Sequence, residues 1–405
     1  MVKRSDLLNI ISFQKRKIDD SDLGQIRKVL DKISKTPKEF ALIISGIRRC
    51  GKSTLLNQYI VKNKLENYLY LNFDSAKLFT FELQDFQLLD EIIEEENYDW
   101  LVFDEIQIID GWEIYIRQKL DEGLNVIITG SNASLLSREL GTKLTGRHIT
   151  KELFPFSFAE FSSYKNLKKD ENTFKEYLIK GGFPGFLKSD NTDIHMALLD
   201  DIIYRDIAVR HNIRNVKSLK LLFNFLATNA TKLISANKLK HYIGIKSTAT
   251  VIEYLNYFEE SYLIQLIPKF SYSLKNQLVN PKKVYFIDNG LQQSASLSFS
   301  NDLGRKLENL AFWEYRRKGK TIYYFHENNR ECDFVISQND KIEEVVQICL
   351  ELNHDNQERE IKGLIEAMNY FELETGTIIT LNQEDVILID GKRVNVLPGY
   401  KVFGD

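Results

Sequence analysis

The sequence predicts an α/β protein built on a parallel β-sheet with helices on both faces, and three observations predict it. Residues 46 to 53 read Gly46-Ile47-Arg48-Arg49-Cys50-Gly51-Lys52-Ser53, the spacing G-x-x-x-x-G-K-S, set between an apolar run (Ala41 to Ile44) and a helix-compatible stretch (Leu55 to Ile60). A second apolar run, Trp100-Leu101-Val102-Phe103, ends in two carboxylates, Asp104 and Glu105. Around these, short apolar runs alternate with amphipathic stretches, the pattern that lays crossover helices against parallel strands.

The first forty residues read as a polar, helical lead-in, with Leu23, Ile26, Leu30 and Ile33 on one stripe and Pro37 ending it. The run Ala41 to Ile44 is the first strand. The glycine-containing segment after it is a phosphate-binding P-loop, because strand, glycine loop and helix is the context that chemistry needs. Gly46 and Gly51 let the backbone wrap so that the N–H groups of Ile47, Arg48, Arg49 and Cys50 face phosphate oxygens, and the following helix adds its positive end. Lys52 would reach the β- and γ-phosphates, the Ser53 hydroxyl would ligate Mg²⁺, and Thr54 would lie near the α-phosphate. Tyr68 to Leu71 is a second strand, and Leu83 to Glu96 an amphipathic helix. The Trp100–Phe103 strand then delivers Asp104 to the Mg²⁺ shell and Glu105 as general base for the attacking water. Nucleotide binding alone does not require the second carboxylate, so the pair favours hydrolysis. A helix from about Glu113 to Leu120 and a strand from Asn125 to Thr129 complete the sheet. A strand falls in sequence between the P-loop strand and the Asp104 strand, which fits the additional-strand, AAA-like class of P-loop ATPases. After the last strand, Ser131 and Asn132 are candidate γ-phosphate sensors, against the alternative of an ordinary Gly-Ser-Asn turn. Arg147 is the candidate transition-state arginine, in cis or from a neighbour, with Arg138, Arg205 and Arg210 as rivals.

Length and composition set the frame. The 405 residues suffice for roughly two to four domains, and a hydrophobic content of 43% supports real cores. No apolar run approaches the length of about eighteen residues that a membrane span needs, and no apolar segment follows the charged N-terminus. The three cysteines, Cys50, Cys332 and Cys349, match no zinc spacing and fit a reducing, cytoplasmic setting. Net charge is −3, but residues 214–283 carry a local +8 and the rest −11, an asymmetry that suggests one face meant for a polyanion.

Residues 170–230 read as mostly helical, with an apolar stripe at Leu219, Leu222, Phe223 and Leu226. Ser235 and Ser247 are candidate N-caps and Gly244 the turn of a helix-turn-helix, with strands near Leu263–Pro268 and Val284–Ile287 as a wing. Lys238, Lys240, Lys246, Lys269 and Lys275 would contact DNA phosphates. A winged helix used for protein contacts is the alternative. From about residue 301 the chain returns to mixed α/β. Glu308, in a helix Leu307–Arg316, together with Asp333 and Gln347 on strand-like runs, follows the order of a metal-dependent nuclease site. The lysine of that pattern falls on Cys349, whose neutral thiol places no positive charge beside a developing oxyanion, so the site is expected to be vestigial.

The order of these motifs resembles a bacterial and archaeal ATPase family that joins an AAA-type domain to a C-terminal module called DUF4143. The residues that carry the resemblance are the P-loop, Asp104-Glu105-Ile106-Gln107, Thr129-Gly130-Ser131-Asn132, Leu144-Thr145-Gly146-Arg147, Leu153-Phe154-Pro155-Phe156-Ser157-Phe158, Gly181-Gly182-Phe183-Pro184, Val284 to Leu291 and Leu307-Glu308-Asn309. The resemblance implies an ATPase core (residues 1–165), a helical and winged-helix part (166–300) and a restriction-endonuclease-like part (301–405). Members often show Glu-x-Lys where this chain has Gln347-Ile348-Cys349. The expectation is an ATP- and Mg²⁺-dependent switch acting on DNA. The alternatives are an ATPase with a protein client and, more remotely, an ATP-gated nuclease. Assembly with further copies is compatible with each.

Overall fold

The structure, a computed structural model, describes residues 2–33, 37–132, 144, 146–297 and 302–404. The chain divides into two compact units, residues 1–154 and 155–405. This division does not coincide with the expected boundaries at 165 and 300.

The first unit holds a five-stranded, all-parallel sheet in the order β2-β3-β4-β1-β5 (β1 Ala41–Ser45, β2 Tyr68–Asn72, β3 Trp100–Asp104, β4 Asn125–Gly130, β5 His148–Glu152). In space, β4 separates the P-loop strand from the strand bearing Asp104. Because all strands run the same way, Ser45, Asn72, Asp104, Gly130 and Glu152 collect at one edge, where ligands bind in open α/β sheets. Each of β1 to β4 is almost wholly buried around an apolar centre, as strands covered on both faces must be. The helices Phe86–Glu96 and Trp112–Asp121 cover one face, with Phe86 stacked on Tyr115 at 3.9 Å and Phe73, Phe81 and Phe103 packed edge-on nearby.

The lead-in departs from expectation. The helix is Arg4–Asp19, burying Leu7, Ile10, Ile11 and Ile18, whereas Leu23 to Ile33 runs largely irregular with one 3-10 turn, Lys28–Lys32. The reason lies in that segment's hydrogen bonds. Gln58 donates to the carbonyls of Leu23 and Gln25 and accepts from the Arg27 N–H, so the segment is tied to the helix Lys52–Asn63 and not to itself.

The second unit begins with the helix Phe158–Lys165, capped reciprocally by Ser157 and Glu160. Its Phe158 and Phe161 pack on Phe174 and Tyr177, which explains why the boundary precedes it. Helices follow to Thr228, including a nine-residue π-helix, Asp201–Val209. A three-stranded antiparallel sheet, β6-β8-β7 (Leu233–Ile234, Lys282–Phe286, Ile264–Ile267), flanks the helices Ala236–Ile243 and Thr248–Glu260. Ser247 caps the second of these through the Ala249 N–H, while Ser235 occupies the cap position of the first without a side-chain bond. A six-stranded mixed sheet closes the unit: β13-β14-β12-β11-β10-β9, with β9 Thr321–Glu327, β10 Arg330–Gln338, β11 Lys341–Ile348, β12 Thr375–Thr380, β13 Asp385–Ile389 and β14 Lys392–Pro398. Helix Leu303–Arg317 precedes β9 and helix Gln357–Tyr370 joins β11 to the parallel β12. The two halves interlock. Asn309 donates to and accepts from the Phe286 backbone, and the Phe270 N–H donates to the Tyr324 carbonyl.

Candidate functional site

At the sheet edge of the first unit, the segment 46–53 wraps between β1 and the helix Lys52–Asn63. A Cβ on Gly46 would stand 2.1 Å from the Leu153 carbonyl oxygen, so only glycine lets the loop cross the end of β5 this closely. From below, the buried Arg27 guanidinium holds the loop by donating to the Cys50 carbonyl (2.9 Å) and the Phe154 carbonyl (2.7 Å). Arg27 belongs to none of the motifs read in the sequence. Cys50 is buried, burial pushes its thiol up, and its Sγ donates to the Leu153 carbonyl.

The Lys52 ammonium is 4% exposed and engages three acceptors: the carbonyls of Gly46 (3.1 Å) and Ile47 (3.3 Å), and Glu105 Oε1 (3.1 Å). Burial pulls Lys52 down, and Glu105, Cys50 and Asp104 outweigh it, so its charge is held firmly. Burial pushes Glu105 up, but Lys52, a hydrogen bond from Gln107 and Arg48 bring it below the usual carboxylate range. Asp104 is raised, by burial first and then by the neighbouring Glu105. Its Oδ2 accepts from Ser53 Oγ (2.6 Å), Asn72 Nδ2 (2.9 Å) and the Tyr70 hydroxyl (3.1 Å), and its Oδ1 from Thr129 Oγ1. Glu105 sits at φ 55°, a left-handed conformation that costs a residue with a Cβ and persists where the surroundings hold it. Here the Glu105 N–H donates to Thr129 Oγ1 and the carboxylate accepts from Gln107 Nε2 at 2.6 Å. Asn72 belongs to no local motif and escaped sequence reading, whereas Thr129 and Gln107 entered it only as members of motifs that carry the resemblance, with no role of their own.

Gln107 also reaches Ser131 Oγ at 3.4 Å, which puts Ser131 beside the Glu105 carboxylate. Asn132 is buried, and its carbonyl accepts from Ser45 Oγ. Gln107 Oε1 is buried with no hydrogen-bond partner among the described residues. Beside Ser53 and Thr54 opens a cavity of about 430 Å³, lined further by Phe13, Lys17, Asp22 and Asp74, within the size range of small-molecule sites. The glycine cradle, the hydroxyl–carboxylate pair Ser53–Asp104 and the orphaned Gln107 oxygen all suit a polyphosphate with a hard cation.

Arg147 is placed differently. It immediately precedes β5, at the end of the sheet opposite the P-loop, where its backbone carbonyl accepts from the Ala41 N–H and its guanidinium pairs with Asp121 at 2.7 Å. It does not approach Lys52 or Glu105 within its own chain. Arg138 lies outside the described residues, as does Thr145 of the motif around Arg147. Arg205 and Arg210 belong to the second unit, on the π-helix and at its end.

The second unit contains an open cleft of about 830 Å³, whose lining includes Glu308, Glu331, Asp333, Gln347, Glu360 and Lys283. The structure thus brings together Glu308, Asp333 and Gln347, but Cys349 is buried with Ile361 and Leu364 in the apolar core beneath helix Gln357–Tyr370. Lys283, unremarked in the sequence beyond its charge, is 4% exposed at the cleft floor. Its Nζ lies 2.8 Å from Asp333 Oδ1, 2.8 Å from Glu331 Oε1 and 3.2 Å from Glu308 Oε1. Burial pulls this ammonium down, and Asp333, Glu308 and Glu331 more than compensate, holding it well above an ordinary lysine. Burial pushes Glu308 up to about 7, with Lys283 opposing and Asp333 adding to the rise. The Tyr285 hydroxyl donates to Glu308 at 2.7 Å, and the Ile348 N–H to Asp333 Oδ2 at 3.0 Å. Gln347 joins the Asp333 N–H to the Glu360 carboxylate. Lys232, Arg305, Arg330 and Arg359 also line the cleft.

Of the candidate phosphate contacts, Lys238, Lys246 and Lys275 are exposed and Lys240 half-buried. Lys269 is paired with Glu327 at 2.8 Å, so its charge is already matched within the chain. The motifs Phe156–Phe158, Gly181–Pro184 and Asp288–Leu291 meet in a structural knot. The Gly182 N–H donates to Asp288 Oδ2 (2.6 Å), the Phe156 N–H donates to the Gly182 carbonyl (2.8 Å), and a Cβ on Gly182 would lie 2.2 Å from the Phe156 oxygen. No helix among the described residues is long and apolar enough to cross a membrane.

Residues 38–162 match a family described as AAA domain, and residues 171–302 match a domain of unknown function, DUF8612. The C-terminal module is therefore not the expected DUF4143. The uncharacterized protein MJ1544 of Methanocaldococcus jannaschii is 36% identical over 96% of this chain and 95% of its own length. An uncharacterized protein of Haemophilus influenzae is 31% identical over 79% of this chain and 85% of its own. Among solved structures, AMPPCP-bound DnaA from Aquifex aeolicus aligns with 62% of this chain and 88% of its own at 13% identity, with a TM-score of 0.30, too loose a superposition to carry an argument.

Proposed function

Because this chain belongs to the family of MJ1544 and carries an AAA-type P-loop NTPase domain, we propose that it is an Mg²⁺-dependent ATPase that works as a nucleotide switch. The observation that carries the reading is the convergence of Lys52, Ser53, Asp104 and Glu105 at one sheet edge, with Glu105 bonded to Lys52 at 3.1 Å. Ser53 and Asp104 would hold Mg²⁺, which supplies charge neutralisation for the phosphates. The chain's own residues do the rest. Lys52 has spent all three N–H groups on Glu105 and two loop carbonyls, so a γ-phosphate competes with Glu105 for it. Exchange of that partner frees the Glu105 carboxylate and removes the charge that depresses its basicity, which suits a general base. Gln107 and Ser131 stand ready to orient it. Such an exchange, present with ATP and reversed after hydrolysis, gives the site two arrangements.

DNA is the proposed client. The helices 216–228, 236–243 and 248–260 with β6, β7 and β8 have the order of a winged helix, in a segment of local charge +8. Lys238, Lys246 and Lys275 would meet phosphates, and Lys269 would not. A protein client is the second reading, favoured by one observation: the helix Leu274–Val279, between the strands of the wing, buries no residue and leaves Leu274, Leu278 and Val279 exposed beside exposed Tyr272. Steady-state ATP hydrolysis with and without duplex and single-stranded DNA, at two salt concentrations, separates them. Salt-sensitive stimulation supports DNA, indifference supports a protein client, and absence of turnover under every condition, an added second copy included, sinks the ATPase reading.

A further inference from the structure

The helix Leu303–Arg317, the antiparallel strands β9, β10 and β11, the helix Gln357–Tyr370 and the parallel β12 follow the α-β-β-β-α-β order of restriction-endonuclease-like proteins, a fold whose chemistry uses a divalent cation. The residues present do not suit one. Gln347 stands where a carboxylate would, no lysine follows it, and no three metal-ligating side chains converge at metal geometry among the described residues. The centre of the acidic group instead holds an amine.

We infer that the Lys283 ammonium occupies the seat of the divalent cation, so that the cleft takes no metal and does not cut. Three features support this. The ammonium has three N–H groups and three carboxylates around it, Glu308, Glu331 and Asp333, so it is saturated. It enters from β8, a strand of the neighbouring three-stranded sheet, and is anchored by the interlocked backbone there. Both oxygens of Asp333 are already engaged, one by the ammonium and the other by the Ile348 N–H, which fixes the carboxylate in the orientation that serves Lys283. A saturated ammonium offers no open coordination position and cannot lower the pKa of a bound water, the step a nuclease needs.

The test is Mn²⁺ binding to the full-length, nucleotide-free chain at pH 8, followed by the magnetic resonance of the free ion. Omitting nucleotide keeps the outcome separate from the ATPase reading, which stands or falls on turnover. Wild-type protein should bind no Mn²⁺ that depends on Asp333. Lys283→Met and the gentler Lys283→Gln, which retains N–H donors, leave three carboxylates without a counter-ion and should bind Mn²⁺ at least about tenfold more tightly. Adding Asp333→Asn should abolish the gain. An Asp333-dependent ion in the wild type overturns the inference, as does a folded Lys283→Gln protein that binds no more Mn²⁺ than wild type. Should neither variant fold, the wild-type comparison with Asp333→Asn decides alone.

Discussion

Exchange of partners at Lys52 makes Glu105→Gln informative beyond a simple loss of activity. In the wild type the carboxylate neutralises a buried ammonium at 3.1 Å, and ATP must displace that bond before its phosphate can bind. A hydrogen bond to a charged group is worth about 1.5–3 kcal/mol net. Glutamine keeps the shape but not the charge, so that stabilisation of the nucleotide-free form is lost while the phosphate bond is unaffected. Divided by about 1.4 kcal/mol per decade, ATP should bind about ten- to a hundredfold more tightly to the variant. Hydrolysis should fall by about 10²-fold or more, since the water loses its base. The measurement pairs a fluorescent-nucleotide titration with single-turnover hydrolysis. Unchanged or weaker affinity would refute the competition between Glu105 and phosphate, and wild-type turnover would remove Glu105 from the chemistry.

Three other outcomes are expected. Gly182→Ala forces a Cβ to within 2.2 Å of the Phe156 oxygen and should cost the second unit about 3 kcal/mol, read as a lower urea midpoint; an unchanged midpoint would show that the knot yields. Glu308, raised from an unfolded value near 4.5 to about 7, contributes stability that is full below 4.5 and fades as pH rises through 7, so wild type should lose stability relative to Glu308→Gln between pH 5 and 8. Parallel pH profiles of the two proteins would contradict that. Arg147→Ala should leave turnover of dilute protein within about twofold, because the side chain is at the far end of the sheet; a large loss would mean that Arg147 acts in a neighbouring copy's site.

What could be read from the sequence was what lies within one stretch of chain. The P-loop and Asp104-Glu105 carry strand, loop and charge within a few residues, so their meeting follows from any parallel sheet that includes both. The lead-in misled because Leu23, Ile26, Leu30 and Ile33 repeat at helical spacing, yet that segment's backbone bonds go to Gln58, a partner no periodicity shows. Strand β5 has no fully buried residue, so His148 to Glu152 gave no apolar signal, and without it Arg147 could not be placed at the wrong end. Lys283 meets Glu308 and Asp333 across gaps of 25 and 50 positions, where spacing carries no information. The nuclease-like order Glu308, Asp333, Gln347 was visible, but its occupant was not.

The interlock of the second unit bears on how such a chain can be divided or inherited. Asn309 completes the backbone pairing of Phe286, and Lys283 sits among three acids from two later elements, helix Leu303–Arg317 and β10. A protein ending near residue 300 would strand a buried ammonium and an unpaired strand end, and one beginning there would strand three carboxylates. Neither half is a module that recombination could pass on alone. Limited proteolysis should accordingly yield fragments ending near 154 but no lasting product cut near 300, and changes on one side of that point should be answered on the other.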